Sequence, residues 1–106
     1  MTYTTTAIKE LTLGGNYYDF ETFYIDHKTE IYTSLISLFS QFIEVNVSQI
    51  TLTVSAKIQD MDWSTDLTFT RKDFNVLPRD IMPHFESLEN YEMCNTIKNL
   101  YSRLLS

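Results

Sequence analysis

Three carboxylates, Asp60, Asp62 and Asp66, stand in a D-x-D-x-x-x-D spacing. Hard oxygen ligands at alternate positions are what a calcium loop supplies. This stretch lacks the central Gly and the closing bidentate Glu of such a loop, so it reads as a solvated hairpin tip and no metal is expected. His27 and His84 are the only histidines. They form no H-x-x-x-H pair, and no Cys accompanies them at a zinc spacing. His27 lies at an expected helix start, where the dipole disfavours an imidazolium. His84 follows Pro83 near Glu86. Both read as surface histidines, because acid–base work needs a convergence that spacing does not supply. Cys94 sits in a helical pattern beside Glu92 and Met93, which offer nothing to lower a thiol pKa, so it reads as a buried reduced thiol. No serine occupies a G-x-S-x-G elbow, and Gly14-Gly15 opens no phosphate loop. The chain therefore reads as non-enzymatic, without a cofactor.

The charge map is the stronger functional signal. The chain carries a formal charge of −6. Between Asp60 and Glu92 lie eight acidic residues: Asp60, Asp62, Asp66, Asp73, Asp80, Glu86, Glu89 and Glu92. Only Arg71, Lys72 and Arg79 answer them. Such a surface repels a nucleic-acid backbone and steers basic proteins. Aromatic residues crowd the stretch from Tyr3 through Tyr17, Tyr18, Phe20, Phe23 and Tyr24, but Asp19, Glu21 and Asp26 beside them oppose base stacking. These rings divide between core and protein interface.

The element that must organise these residues is a helix over Ile31 to Val45. Ile31, Leu35, Leu38, Phe39, Phe42 and Ile43 recur at three- and four-residue steps and share one face. Asp26 is its expected N-cap, and Glu30 suits the dipole. Before it, Tyr3 to Leu13 alternates and is rich in Thr, and Gly14-Gly15-Asn16 offers a tight turn into Tyr17 to Ile25. That predicts a first hairpin. A competing reading carries the helix back through Phe20, Phe23 and Tyr24; the polar block Asp26 to Glu30 counts against it. After the helix, Gln49 to Gln59 alternates cleanly, with Ile50, Leu52, Val54, Ala56 and Ile58 on one face. Asp60-Met61-Asp62 reads as a turn, and Trp63, Thr65, Leu67 and Phe69 as the return strand. Arg71 to Pro83 reads as irregular because of Pro78 and Pro83, with a short helical turn near Asp80 to Glu86. Ser87 to Leu105 is amphipathic, with Leu88, Tyr91, Cys94, Ile97, Tyr101 and Leu104 on its apolar face.

At 106 residues this is a single-domain length. The predicted order is β-β-α-β-β-α: an α+β fold in which four antiparallel strands carry two helices on one face. No stretch reaches the roughly 20 apolar residues of a membrane span, and Met1 to Leu13 lacks the basic start and apolar run of a secretory leader. A cytoplasmic protein without membrane partner follows. In size and charge alone the chain resembles small bacterial and phage inhibitors, among them toxin-immunity, anti-restriction and anti-CRISPR proteins. The charge map points to an acidic inhibitor that occludes a basic protein, either a toxin or a nucleic-acid-binding enzyme. Asp60, Asp62, Asp66, Asp73, Asp80, Glu86 and Glu89 would make the contact around a Trp63 anchor. The alternatives are a nucleic-acid mimic, a homodimeric adaptor, and a small enzyme or ligand-binding domain that uses His27 or His84.

Overall fold

The cleanest alternation in the chain becomes its central strand. In the computed structural model, which describes residues 5–106, Ile50, Leu52, Val54 and Ala56 of β2 (Gln49–Ile58) are all buried. Thr51, Thr53 and Ser55 face the other way. β3 (Met61–Thr70) returns antiparallel in unbroken register, from Gln49 opposite Thr70 to Ile58 opposite Met61. The turn between them is Gln59-Asp60, both at positive φ (51° and 63°), one position earlier than the expected Asp60-Met61-Asp62. Positive φ at both central residues matches the twist of a two-residue hairpin.

The first hairpin does not form. β1 (Thr6–Tyr17) is one strand of 12 residues that runs through Gly14-Gly15-Asn16 and pairs with β2 in parallel. The sheet is therefore three-stranded and mixed, in the order β1-β2-β3, and not the four-stranded antiparallel sheet expected. Gly14-Gly15-Asn16 serves as a register break, which falls between Thr12 and Asn16. Gly15 takes φ 96°, and a Cβ there would meet the Tyr17 ring at 2.9 Å. The part of the first-strand expectation that begins at Tyr3 lies outside the described residues.

A parallel pair needs a long crossover, and the segment read as the second strand becomes part of it. α1 (Phe20–Asp26) and α2 (Lys28–Glu44) follow one another with His27 between them. The competing helical reading was the better one. The polar block does not break the apolar stripe, because His27 turns inward between Phe23 and Ile31; its side chain is 14% exposed. Asp26 does not cap the long helix as expected: it is the last residue of α1, and α2 has His27 at its N-cap position with no side-chain bond. α1 is capped by Asp19, whose carboxylate accepts from the Thr22 amide at 2.8 Å.

The proline-containing stretch is helical rather than irregular. A 3-10 turn (Arg71–Asn75), a π-helical turn (Leu77–Ile81) and α3 (Met82–Ser87) follow in succession. Pro78 and Pro83 each sit in a first turn, where a missing amide hydrogen costs no intrahelical bond. α4 (Tyr91–Leu105) starts later than expected, capped by Asn90, so Leu88 and Tyr91 are exposed instead of buried. Its buried face is Cys94, Ile97, Leu100 and Leu104. α2 lies on β1 and β2, and α4 packs against α2, α3 and the π-helical turn. All helices occupy one side, giving two layers with extents of 44 × 42 × 16 Å.

Two pairs of substitutions test these assignments by urea denaturation. Gly15→Ala should cost about 1–2 kcal/mol, whereas Gly14→Ala, with open space around it, should be near neutral. Asp19→Ala should cost about 1 kcal/mol and Asp26→Ala much less.

Candidate functional site

Among the described residues, nothing covers the sheet face opposite the helices. Its side chains come in three parallel files. β1 contributes Thr6, Ile8, Glu10 and Thr12; β2 contributes Thr51, Thr53, Ser55 and Lys57; β3 contributes Asp62, Ser64, Asp66, Thr68 and Thr70. Register aligns them in rows. Glu10, Thr53 and Asp66 form one row, and Ile8, Thr51 and Thr68 the next. The Thr53 hydroxyl donates to Asp66 Oδ1 at 2.7 Å, and the hydroxyls of Thr51 and Thr68 are 3.0 Å apart. Asp62 lies opposite Lys57, its Oδ1 3.9 Å from the ammonium, and its side chain is 95% exposed. Ile8, 65% exposed, is the apolar residue in the middle of this hydroxyl and carboxylate surface.

Of the expected contact residues, the structure brings Asp62 and Asp66 to this face. Asp60 is at the hairpin tip, clamped by Asn16: the Asn16 side-chain amide donates to its carboxylate, and the Asp60 amide donates to Asn16 Oδ1 at 3.0 Å. The others lie elsewhere. Asp73 closes a capping box, accepting from the Thr70 amide at 2.8 Å. Asp80 is held by the Arg79 guanidinium at 2.8 and 3.0 Å. Glu86 and Glu89 are exposed on α3 and the turn after it. Trp63 points into the helix layer, half-buried, its ring centroid 4.9 Å from that of Phe20 and 6.0 Å from that of Phe23. Among the described residues no three His, Cys, Asp or Glu side chains converge as a metal site, so the D-x-D-x-x-x-D spacing does not close on itself. No helix there is long and apolar enough to cross a membrane.

Both histidines are more engaged than their spacing implied. His27 Nδ1 is 2.9 Å from Glu30 Oε1, while Nε2 is 3.0 Å from the Tyr17 hydroxyl and 3.1 Å from the Gly14 carbonyl. Tyr, His and carboxylate in series have the form of a proton relay. Yet burial and the neighbouring Asp26 push the Tyr17 phenol upward, away from a nucleophilic phenolate. The network joins the helix junction to the end of β1. His84 Nε2 is 2.7 Å from the Thr29 hydroxyl, and its ring stands edge-on to Tyr32 and Phe85.

A second arrangement escaped the sequence reading. The hydroxyls of Tyr24 and Tyr32 are 2.5 Å apart, and Lys28 Nζ stands 5.7 Å from each ring centroid. The steps of four from 24 to 28 to 32 are the signal for it in the sequence, and the strand expectation over 17–25 hides them. Burial, then the Tyr24 hydroxyl, raises the Tyr32 phenol strongly, so it stays protonated. Beside this pair a cleft of about 280 Å³ opens against β3, lined by Tyr24, Tyr32, Leu35, Leu67, Phe69 and Val76, with Asp80 also on its wall. Compared with protein families, characterised proteins and solved structures, the chain matches none.

Burial, then the Lys28 charge, lowers the His84 pKa from its ordinary 6.5. A histidine depressed in the folded state binds its proton more readily unfolded, so its stabilising contribution is complete above pH 6.5 and declines as pH falls through that value. Thermal melts between about pH 7.5 and about pH 5.5 should therefore fall more steeply for the wild type than for His84→Gln. Parallel slopes would contradict the assignment.

Proposed function

We propose that the chain is a small non-catalytic binding protein that inhibits a basic protein partner by covering its working surface, in the manner of a toxin-immunity protein acting in the cytoplasm. The observation that carries this reading is the bare sheet face. Glu10, Asp66 and Asp62 stand there on a hydrogen-bonded ladder, with no element above them among the described residues. Carboxylates held on a sheet need little further ordering when a partner arrives, and their sign speeds its approach. The hydroxyl rows between them supply hydrogen-bonding groups, and Ile8 takes the apolar anchoring place first given to Trp63. The rest of the chain agrees. His27 and His84 are both occupied in joining elements. Cys94 is buried and unpaired, as suits a reducing compartment.

The test isolates the partner with tagged protein from the native host and titrates the purified pair. A double charge reversal, Asp62→Lys with Asp66→Lys, should weaken binding at low salt by about tenfold or more, which is about 1.4 kcal/mol. The gap should narrow as sodium chloride rises toward about 0.5 M. A variant that melts like the wild type and binds equally well would overturn the reading.

A further inference from the structure

We propose that the free edge of β3 accepts an extended segment of the partner as a fourth strand, and that this segment alternates basic and apolar residues. The inference rests on the proposed basic partner and adds where and how it binds.

The two edges of the sheet differ. β1 breaks register between Thr12 and Asn16, and such irregularities blunt an edge. β3 runs ten residues in continuous register with no proline, no lysine and no bulge. Every second residue of an edge strand turns its amide and carbonyl outward. Among the described residues no backbone hydrogen bond joins β3 to anything but β2. This is a long, unbroken edge of the kind that other chains pair with.

The two sides of that edge state what the added strand carries. Successive side chains of a strand point to opposite faces. On the helix side, Trp63, Leu67 and Phe69 are only half-buried. Phe20, 46% exposed, extends the shelf at the Trp63 end, and the Tyr24–Tyr32 cleft opens beside Leu67 and Phe69. The lining of that cleft is mainly apolar, and its one carboxylate, Asp80, is already paired with Arg79. Apolar side chains fit this shelf, so they take the inward positions. On the open side, Asp62 and Asp66 face solvent on the same strand. Their inner flanks are occupied by Lys57 and Thr53, and an added strand would set its own residues about 5 Å from them on the other flank. Lysine or arginine fits those positions. One strand thus satisfies both sides through alternation alone.

The probe is an N-acetylated peptide of about ten residues, alternating Lys and Val to match β3 in length. Two further versions carry N-methyl groups on the lysine amides or on the valine amides, and a fourth scrambles the order. An added strand offers only one set of alternate amides to β3, so one methylated peptide should lose about tenfold or more in affinity while the other keeps it. The scrambled peptide should bind weakly. Amide exchange of β3 in the full chain should slow on binding. Equal affinity of all four peptides would overturn strand addition while leaving the acidic face intact. A methylation effect that is insensitive to Asp62→Lys with Asp66→Lys would keep the edge and remove the basic requirement. A dimer in light scattering whose β3 amides are already protected would give the edge to a second copy and overturn the proposal.

Discussion

Parallel pairing of β1 with β2 is the constraint on which the rest of the structure depends. Two parallel neighbours cannot be joined by a short turn; the chain must leave one end of the sheet and re-enter at the other. Residues 18–48 make that passage, and an extended passage would leave unpaired backbone over the sheet. The chain solves this with helices, whose backbone bonds are internal. α1 and α2 supply Phe23, Ile31, Leu35, Phe39 and Phe42 to cover Ile50, Leu52 and Val54. Once the crossover lies on one side, the rest of the helical chain joins that layer, and the opposite face stays open.

His27 makes the passage turn where it does. An inward histidine at the joint of two helices would be destabilising if its nitrogens lacked partners. Here Glu30 answers Nδ1, and Tyr17 and Gly14 answer Nε2. Gly14 and Tyr17 lie on either side of Gly15, whose positive φ brings its own backbone against the Tyr17 ring. The irregular end of β1 and the helix junction are therefore one device. A polar residue in the apolar stripe is tolerated because the strand presents a carbonyl and a phenol to it.

This explains which parts of the fold and site could be read from sequence. The β2–β3 hairpin and the Ile31 to Glu44 helix were legible because their periodicities, two and 3.6, are local and strong. The direction of β1 was not. Gly14-Gly15-Asn16 has the local chemistry of a turn, and only the distant ladder to β2 makes it a register break. Phe20, Phe23 and Tyr24 carry a helical spacing, but the polar block Asp26 to Glu30 masks it in the sequence, because only the folded chain turns His27 inward. For the site, Asp62 and Asp66 fall an even number of residues apart on a correctly read strand, so their shared face was legible. Glu10 was not, because its place beside Thr53 and Asp66 follows from the parallel register. Asp73 and Asp80 were diverted by partners three residues and one residue away, which a charge count does not register.

The same crossover accounts for the state of β3. Helices of a βαβ passage lie over the two strands they connect. β3 is attached by a hairpin and lies at the margin of that passage. Phe39 of α2 reaches its Phe69 end, where Val76 joins the same cleft wall. The Trp63 end is left to Phe20 and Phe23, which reach across from α1. A strand whose inner row, Trp63, Thr65, Leu67 and Phe69, is only half-buried leaves apolar surface exposed at a cost in hydrophobic free energy. Stability alone would favour a more polar inner row, as on β1, where Lys9 stands in the inner file. β3 instead keeps Trp63, Leu67 and Phe69 inside and Asp62 and Asp66 outside, along ten residues of unbroken ladder. That division of apolar and acidic sides makes sense for a strand that is itself a neighbour to something else.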